Sequence, residues 1–399
     1  MEITFKLLTY VAILGFTLGF IINKTNFCTM GAVSDWVNIG DLNRFKAWML
    51  ATSIAILGVS ILEFTDIINL DSSRPPYRSS VFFWPRYVVG GLMFGIGMTL
   101  SSGCGNKTLI RLGSGNLKSF IVLLVAGLMA YLMTRTDFYG LVFHSWMSPI
   151  SPDLAKIGIE DQSLGAIFST LFMYDNVEGL RFLIGIIISA LLLIFIMKAG
   201  DFLKNANNIL SGFTVGVAVV LAWLVTGGKL GKEWIESVKF MDNPLPSVGT
   251  QSLTFINPMG ETLIFASHGA DLYYLTFGVT VLLATIIGSF TYAIISNNFR
   301  LEWFVSFQDF TRHVMGGTLI GIGGVLSLGC TIGQGVSGVS TLALGSFLAL
   351  ISIIIGAAIT MKIEYYSAVY ENHTFIDYFK SSLADLKLIP DKYRTLEKI

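Results

Sequence analysis

The sequence predicts an all-α polytopic membrane protein with about nine transmembrane helices in two inverted repeats, and short or re-entrant helices inserted between them. Three observations carry that expectation. The first is composition: 53% of the 399 residues are hydrophobic, 13% are charged and mean hydropathy is +0.69. A soluble domain does not reach those values, and the apolar runs approach the ~20 residues that cross a bilayer. They are continuous rather than alternating, which argues against a β-barrel. The second is an internal near-copy. Arg86 to Cys104 superposes on Arg312 to Cys330 with 11 identities in 19 positions. The identities include Gly90-Gly91 on Gly316-Gly317, Gly95-Ile96-Gly97 on Gly321-Ile322-Gly323, Leu100-Ser101 on Leu326-Ser327, and Gly103-Cys104 on Gly329-Cys330. The third is that each copy is an apolar helix broken at its cysteine, where glycine and small polar residues replace the aliphatic ones.

In order, apolar spans are expected near 5–22, 44–63, 84–102, 117–136, 179–198, 208–226, 270–295, 310–328 and 340–361. The first is followed by Asn-Lys-Thr-Asn rather than a small-residue cleavage site, so it reads as a retained span and not a signal peptide. It also has a weaker partner: Gly15-Phe16-Thr17 and Gly19 fall on Gly212-Phe213-Thr214 and Gly216, and Cys28 falls on Val225. The chain therefore divides into a first repeat (1–136), an outer loop with a linking fifth span (137–207), a second repeat (208–362) and a tail (363–399). Four crossings followed by one linker put the second unit into the membrane from the opposite side, a plan whose sites lie near the midplane at interrupted helices.

Basic residues set the orientation. Sixteen of the 26 lysines and arginines fall in the loops after spans one, three, five and seven and in the tail. The N-terminus is accordingly expected outside and the C-terminus in the cytoplasm. The long outer connections carry apolar pieces, Leu164–Tyr174 and Leu253–Phe265, too short to span and suited to re-entrant or interfacial helices. The tail mixes acidic and basic residues and reads as a solvated segment, with a docking surface for a cytoplasmic partner as the alternative.

Three stretches break a helix inside apolar sequence: Asn23–Gly31, Ser101–Gly115 and Leu328–Gly338. Irregular backbone at membrane depth is tolerated only where protein or a water-filled cavity surrounds it. A helix that starts at such a break directs free N–H groups and the positive end of its dipole at the gap, which suits a small anion. The residues singled out for a substrate path are Cys28, Cys104 and Cys330, with Gly103, Gly105, Asn106 and Lys107 around the first matched break and Gly329, Gly333 and Gln334 around the second. Lys107 and Arg111 follow Cys104 without counterparts after Cys330, so positive charge is expected mainly at one end. Gly91, Gly95, Gly317 and Gly321 fit small-xxx-small helix packing, and Arg86 and Arg312 serve equally well as interfacial anchors. A buried cysteine is commonly a small hydrophobe; two that follow glycine at matched breaks favour a functional reading. Thiols are weak donors with polarizable sulfur, each contact contributing ~0.5–1 kcal/mol. They cannot dehydrate an anion, but can prefer one that presents sulfur.

The odd cysteine count, the lack of a C-x-x-C pair and the scattered histidines indicate neither a disulfide framework nor a metal site, and no cofactor is called for. Equal numbers of acidic and basic residues give no sign of a nucleic-acid partner. No G-x-x-x-x-G-K-[ST] signature appears, so direct ATP-driven transport is not encoded. A transporter rather than an enzyme is expected. A membrane thiol-disulfide oxidoreductase and a simple anion channel with incidental thiols are the alternatives.

The NFCTMGAVSD run, the GGLMFGIGMTLSSGCGNKTLIRLGSGNLKS block and the GGTLIGIGGVLSLGCTIGQGVSG block resemble the YeeE/YedE family of bacterial sulfur-compound transporters. The resemblance extends to about residue 360. It implies a nine-span protein of the bacterial inner membrane with inverted halves and inserted helices forming an hourglass. It further implies import of thiosulfate handed along three cysteines, here Cys28, Cys104 and Cys330. Some members work beside a small cytoplasmic sulfur carrier of the TusA type, which would here be a separate partner. A selenium compound is the alternative substrate suggested for the YedE branch.

Overall fold

In the computed structural model, which describes residues 2–198 and 200–397, the chain folds almost entirely into helices, with no β-strand among the described residues. Fifteen helices have nine or more residues. They are α1 (Glu2–Thr25), α2 (Thr29–Ile39), α3 (Asn43–Phe64), α4 (Trp84–Leu100), α5 (Gly105–Gly113), α6 (Leu117–Arg135), α7 (Leu164–Phe172) and α8 (Val177–Met197). They continue as α9 (Ala206–Gly227), α10 (Lys229–Lys239), α11 (Ile256–Ser267), α12 (Phe277–Ile295), α13 (Phe307–Leu326), α14 (Leu344–Val369) and α15 (Phe375–Asp385). Residues 331–340 form a further helical stretch containing a π-helical segment, Gly333–Gly338.

Eight of these elements are long and apolar enough to cross a membrane. The ninth expected span is α13, whose 20 residues begin with Gln308, Asp309, Thr311, Arg312 and His313 and are therefore less apolar. Its charges are satisfied locally: Lys118 of α6 lies 2.7 Å from Asp309, and Arg312 pairs with Glu364 of α14.

Glycine decides how the helices meet. A Cβ on Gly95 would sit 2.2 Å from the Ile353 carbonyl oxygen of α14, and one on Gly91 would sit 2.8 Å from the Ala349 oxygen. The matched glycines do the same against α6: a Cβ on Gly317 would sit 3.1 Å from the Val122 oxygen and one on Gly321 would sit 2.6 Å from the Ala126 oxygen. Side chains there would force the helices apart, so the small-xxx-small expectation is met. The two copies also meet each other. Gly90 packs on Gly323 while its counterpart Gly316 packs on Gly97, so α4 and α13 cross antiparallel with exchanged contacts. A second exchange involves α1 and α9. Gly15 and Gly19 of α1 press on Val281 and Thr285 of α12, and Gly212 and Gly216 of α9 press on Ala47 and Ala51 of α3.

Three details depart from the sequence reading. The span expected at 270–295 starts only at Phe277, because Thr276 caps the Val279 N–H and Leu272–Tyr274 form a 3-10 turn. The last span continues to Val369, since Lys362 within it finds Asp385 at 3.4 Å. The described part of the tail is not simply solvated: α15 folds back onto α14, where Asp385 also receives Arg394.

Candidate functional site

Each cysteine sits at the start of a helix that follows a break. Cys28 is the residue capping α2, and its Sγ accepts the Gly31 N–H at 3.5 Å. Cys330 precedes the 331–340 stretch, and its Sγ accepts the Gly333 N–H at 3.3 Å. Both sulfurs thus meet the N–H three residues on, the geometry in which serine, threonine or aspartate normally caps a helix. Cys104 occupies the corresponding position before α5 but makes no capping bond. The matched breaks are built alike. Ser101 Oγ donates to the Gly97 oxygen at 2.8 Å and approaches the Gly103 oxygen at 3.2 Å; Ser327 Oγ repeats this with Gly323 at 2.7 Å and Gly329 at 3.1 Å. Ser102 and Leu328 then take positive φ, 57° and 63°, which turns the chain out of its helix.

All three thiols are buried and free. They also converge. Cys28 and Cys104 are near neighbours within electrostatic reach of each other, and the Thr331 hydroxyl, beside Cys330, lies close to Cys104. Gly105 brings α5 against the other break: a Cβ there would lie 3.7 Å from the Cys330 Cβ and 2.9 Å from Ile256 Cδ1. Gly103 and Gly329 lie in the two turns, the first over Lys107 and the second over the Gly333–Gln334 peptide. Asn106 is buried with its Oδ1 unpartnered, and Gln334 is buried with its Nε2 donated to the Ser327 oxygen and its Oε1 unpartnered.

Basic side chains gather around the first matched break. Lys107 Nζ donates to Asn26 Oδ1 and lies within electrostatic reach of Cys28 and Cys104. Arg111 donates to the Ser102 oxygen at 2.7 Å. Neither is in a salt bridge among the described residues. Arg44 approaches the same region at Gly31 and is paired with Asp35 at 3.2 Å. The two arginines matched by the repeat diverge: Arg86 Nε donates to the Leu326 oxygen at 3.2 Å, closing the end of α13, and stacks on Tyr139.

Residues outside the cysteine blocks hold the second break, and sequence reasoning did not single them out. Tyr77 donates its hydroxyl to the Gly333 oxygen at 2.8 Å, and Thr52 donates to the Gly335 oxygen at 3.1 Å. Arg78 Nε donates to the Thr341 oxygen at 2.9 Å while its other nitrogens grip Glu63, and Arg181 joins Glu63 to Asp161. Thr254 Oγ1 lies 2.5 Å from where a Gly333 Cβ would be.

Buried thiols at helix starts, cations without a salt bridge among the described residues and a bundle of long apolar helices suit a polytopic membrane protein that handles a small solute. The family of sulphur transport proteins matches residues 24–359, and the chain belongs to it, as the resemblance to YeeE/YedE proteins implied. Its members and relatives are transporters, not enzymes. The chain is 24% identical over 367 residues to the thiosulfate transporter TsuA of Escherichia coli strain K12, covering 88% of this chain and 93% of the relative. It is 23% identical over 361 residues to the thiosulfate transporter TsuA of Spirochaeta thermophila, covering 86% and 95%.

Proposed function

We propose that this protein imports thiosulfate, or a closely related small sulfur anion, across the bacterial inner membrane along a central path lined by Cys28, Cys104 and Cys330. The observation that carries the reading is the convergence of three buried thiols from three separate helix breaks. The positive end of each helix and the unpaired Lys107 and Arg111 supply the attraction that replaces water around an anion. The thiols supply preference for a substrate with an outward sulfur, through contacts too weak to retain it. Gly103, Gly105, Gly329 and Gly333 keep the backbone close enough for N–H groups to face the path, and Asn106 and Gln334 offer polar atoms beside it.

In this reading residues 1–136 and 208–362 are the two inverted repeats, 137–207 the connection with the linking span, and 363–399 a cytoplasmic end. The exchanged contacts of α4 with α13 support that division. The N-terminus lies in the periplasm, and cations at Lys107 and Arg111 face the cytoplasmic mouth. A separate TusA-like carrier is the partner suited to receive the sulfur there. The names of the two relatives support thiosulfate as the substrate.

Uptake of radiolabelled thiosulfate into proteoliposomes, competed with sulfate, sulfite and selenite, tests the proposal. Saturable uptake that sulfate fails to compete for is expected. Equal competition by sulfate would make this a general anion pathway with incidental thiols.

A further inference from the structure

We propose that Tyr77 is a positioning residue for the Cys330 thiol, acting through Gly333; the inference deepens the reading above and rests on it for its consequence in transport. Gly333 is held at three points. Its N–H donates to Cys330 Sγ at 3.3 Å, its carbonyl accepts the Tyr77 hydroxyl at 2.8 Å, and Thr254 Oγ1 occupies the space where a Cβ would go. Tyr77 is 2% exposed, its ring edge-on to Trp223 and its Cε1 2.9 Å from a Cβ placed on Gly338. The ring therefore has little room to turn, and the hydroxyl is delivered to one carbonyl. That carbonyl lies at the start of the π-helical segment, where the wider turn takes the backbone out of ordinary α-helical pairing.

The next residue fixes the far end of the same stretch. Arg78, buried and engaged with Glu63, donates to the Thr341 oxygen at 2.9 Å. Adjacent side chains of one loop thus hold residues 333 and 341, so the stretch whose Gly333 N–H meets the Cys330 thiol is fixed at both ends. Cys28 uses the same thiol-to-N–H geometry at Gly31, but no side chain of the described residues donates to the Gly31 carbonyl. The orienting device is therefore specific to Cys330.

The test is spectroscopic and does not need transport. In a Cys28→Ser, Cys104→Ser background, Cys330 contributes the single S–H stretching band of the protein, and the position and width of that band report its hydrogen bonding. Tyr77→Phe removes one hydroxyl and should shift and broaden the band. Thr52→Val removes the neighbouring donor to Gly335 and should leave it unchanged. In the otherwise wild-type protein, Tyr77→Phe should also raise the half-saturating thiosulfate concentration several-fold with a smaller change in maximal rate. Should the phenylalanine variant fail to insert, 3-fluorotyrosine at position 77 keeps the shape with a stronger donor and should move the band the opposite way from thiol freeing. A band unmoved by either change, or moved equally by Thr52→Val, overturns the proposal. A moved band with unchanged uptake instead leaves the positioning intact and refutes the role of Cys330 in transport.

Discussion

Replacing Cys330 with serine separates the two things its sulfur does. Structurally it accepts the Gly333 N–H at 3.3 Å, as a helix cap does, in a position with no solvent exposure. Losing a side-chain cap costs about 0.5–2 kcal/mol, and serine is among the best caps. Cys330→Ser should therefore be close to wild type in thermal stability, whereas Cys330→Ala should lose about 1 kcal/mol. Transport follows the opposite logic. A soft thiol contact of ~0.5–1 kcal/mol corresponds to about 2–5-fold in occupancy, and serine restores none of it because its oxygen is hard and less polarizable. Both variants should then take up thiosulfate about 2–5-fold more slowly at limiting concentration, or worse if the thiol also hands substrate onward. Purified protein in proteoliposomes, with insertion checked by chromatography and melting, provides both readings. Wild-type uptake by the serine variant beside impaired uptake by the alanine variant would refute the argument and leave Cys330 as a cap alone.

Lys107→Gln should raise the half-saturating thiosulfate concentration while leaving the protein folded, since Lys107 has no salt bridge among the described residues to lose; unchanged uptake at limiting substrate would show it to be an anchor. Gly95→Ala should destabilise by about 1–3 kcal/mol in a denaturation assay: alanine's helix preference adds roughly 1 kcal/mol, but its Cβ would lie 2.2 Å from the Ile353 oxygen. Arg78→Met should cost about 1–3 kcal/mol, read as lost thermal stability, because the partly buried Glu63 is left with a weaker partner at 3.4 Å in Arg181. A reporter active only in the periplasm should be silent when fused after the tail and active when inserted near Asp153; the reverse pattern would invert the proposed orientation.

Much of this architecture was legible because it is repeated. The glycines of α4 and α13 recur at one register, and the structure uses them in matched contacts. The breaks at Cys104 and Cys330 were visible because an aliphatic run gives way to Ser-Gly-Cys-Gly at the first and to Gly-Cys-Thr-Ile-Gly at the second. Cys28 had no twin in sequence, and its kinship with Cys330 emerged only in the thiol-to-N–H geometry. Tyr77, Thr254 and Thr52 were not legible, because each acts on a distant backbone atom and lies outside the cysteine blocks. The start of α12 was misjudged because Leu272, Tyr273 and Tyr274 extend the apolar run while Asp271 and Thr276 organise turns. The reach of α14 was hidden for the converse reason: Lys362 and Glu364 look like the end of a span until Asp385 and Arg312 are seen to meet them.

The exchange of partners between α1 and α9 has a consequence in time. Gly15 and Gly19 find their surface on α12, which the ribosome makes only after about 250 further residues. At ~5–20 residues per second, the first helix waits on the order of tens of seconds beside a ribosome still delivering the chain. During that interval its glycine groove faces lipid or insertion machinery, and α3 likewise waits for α9. Assembly of the membrane bundle is therefore largely post-insertional, and a chain truncated before α12 leaves its earliest helix without the neighbour for which its glycines are placed.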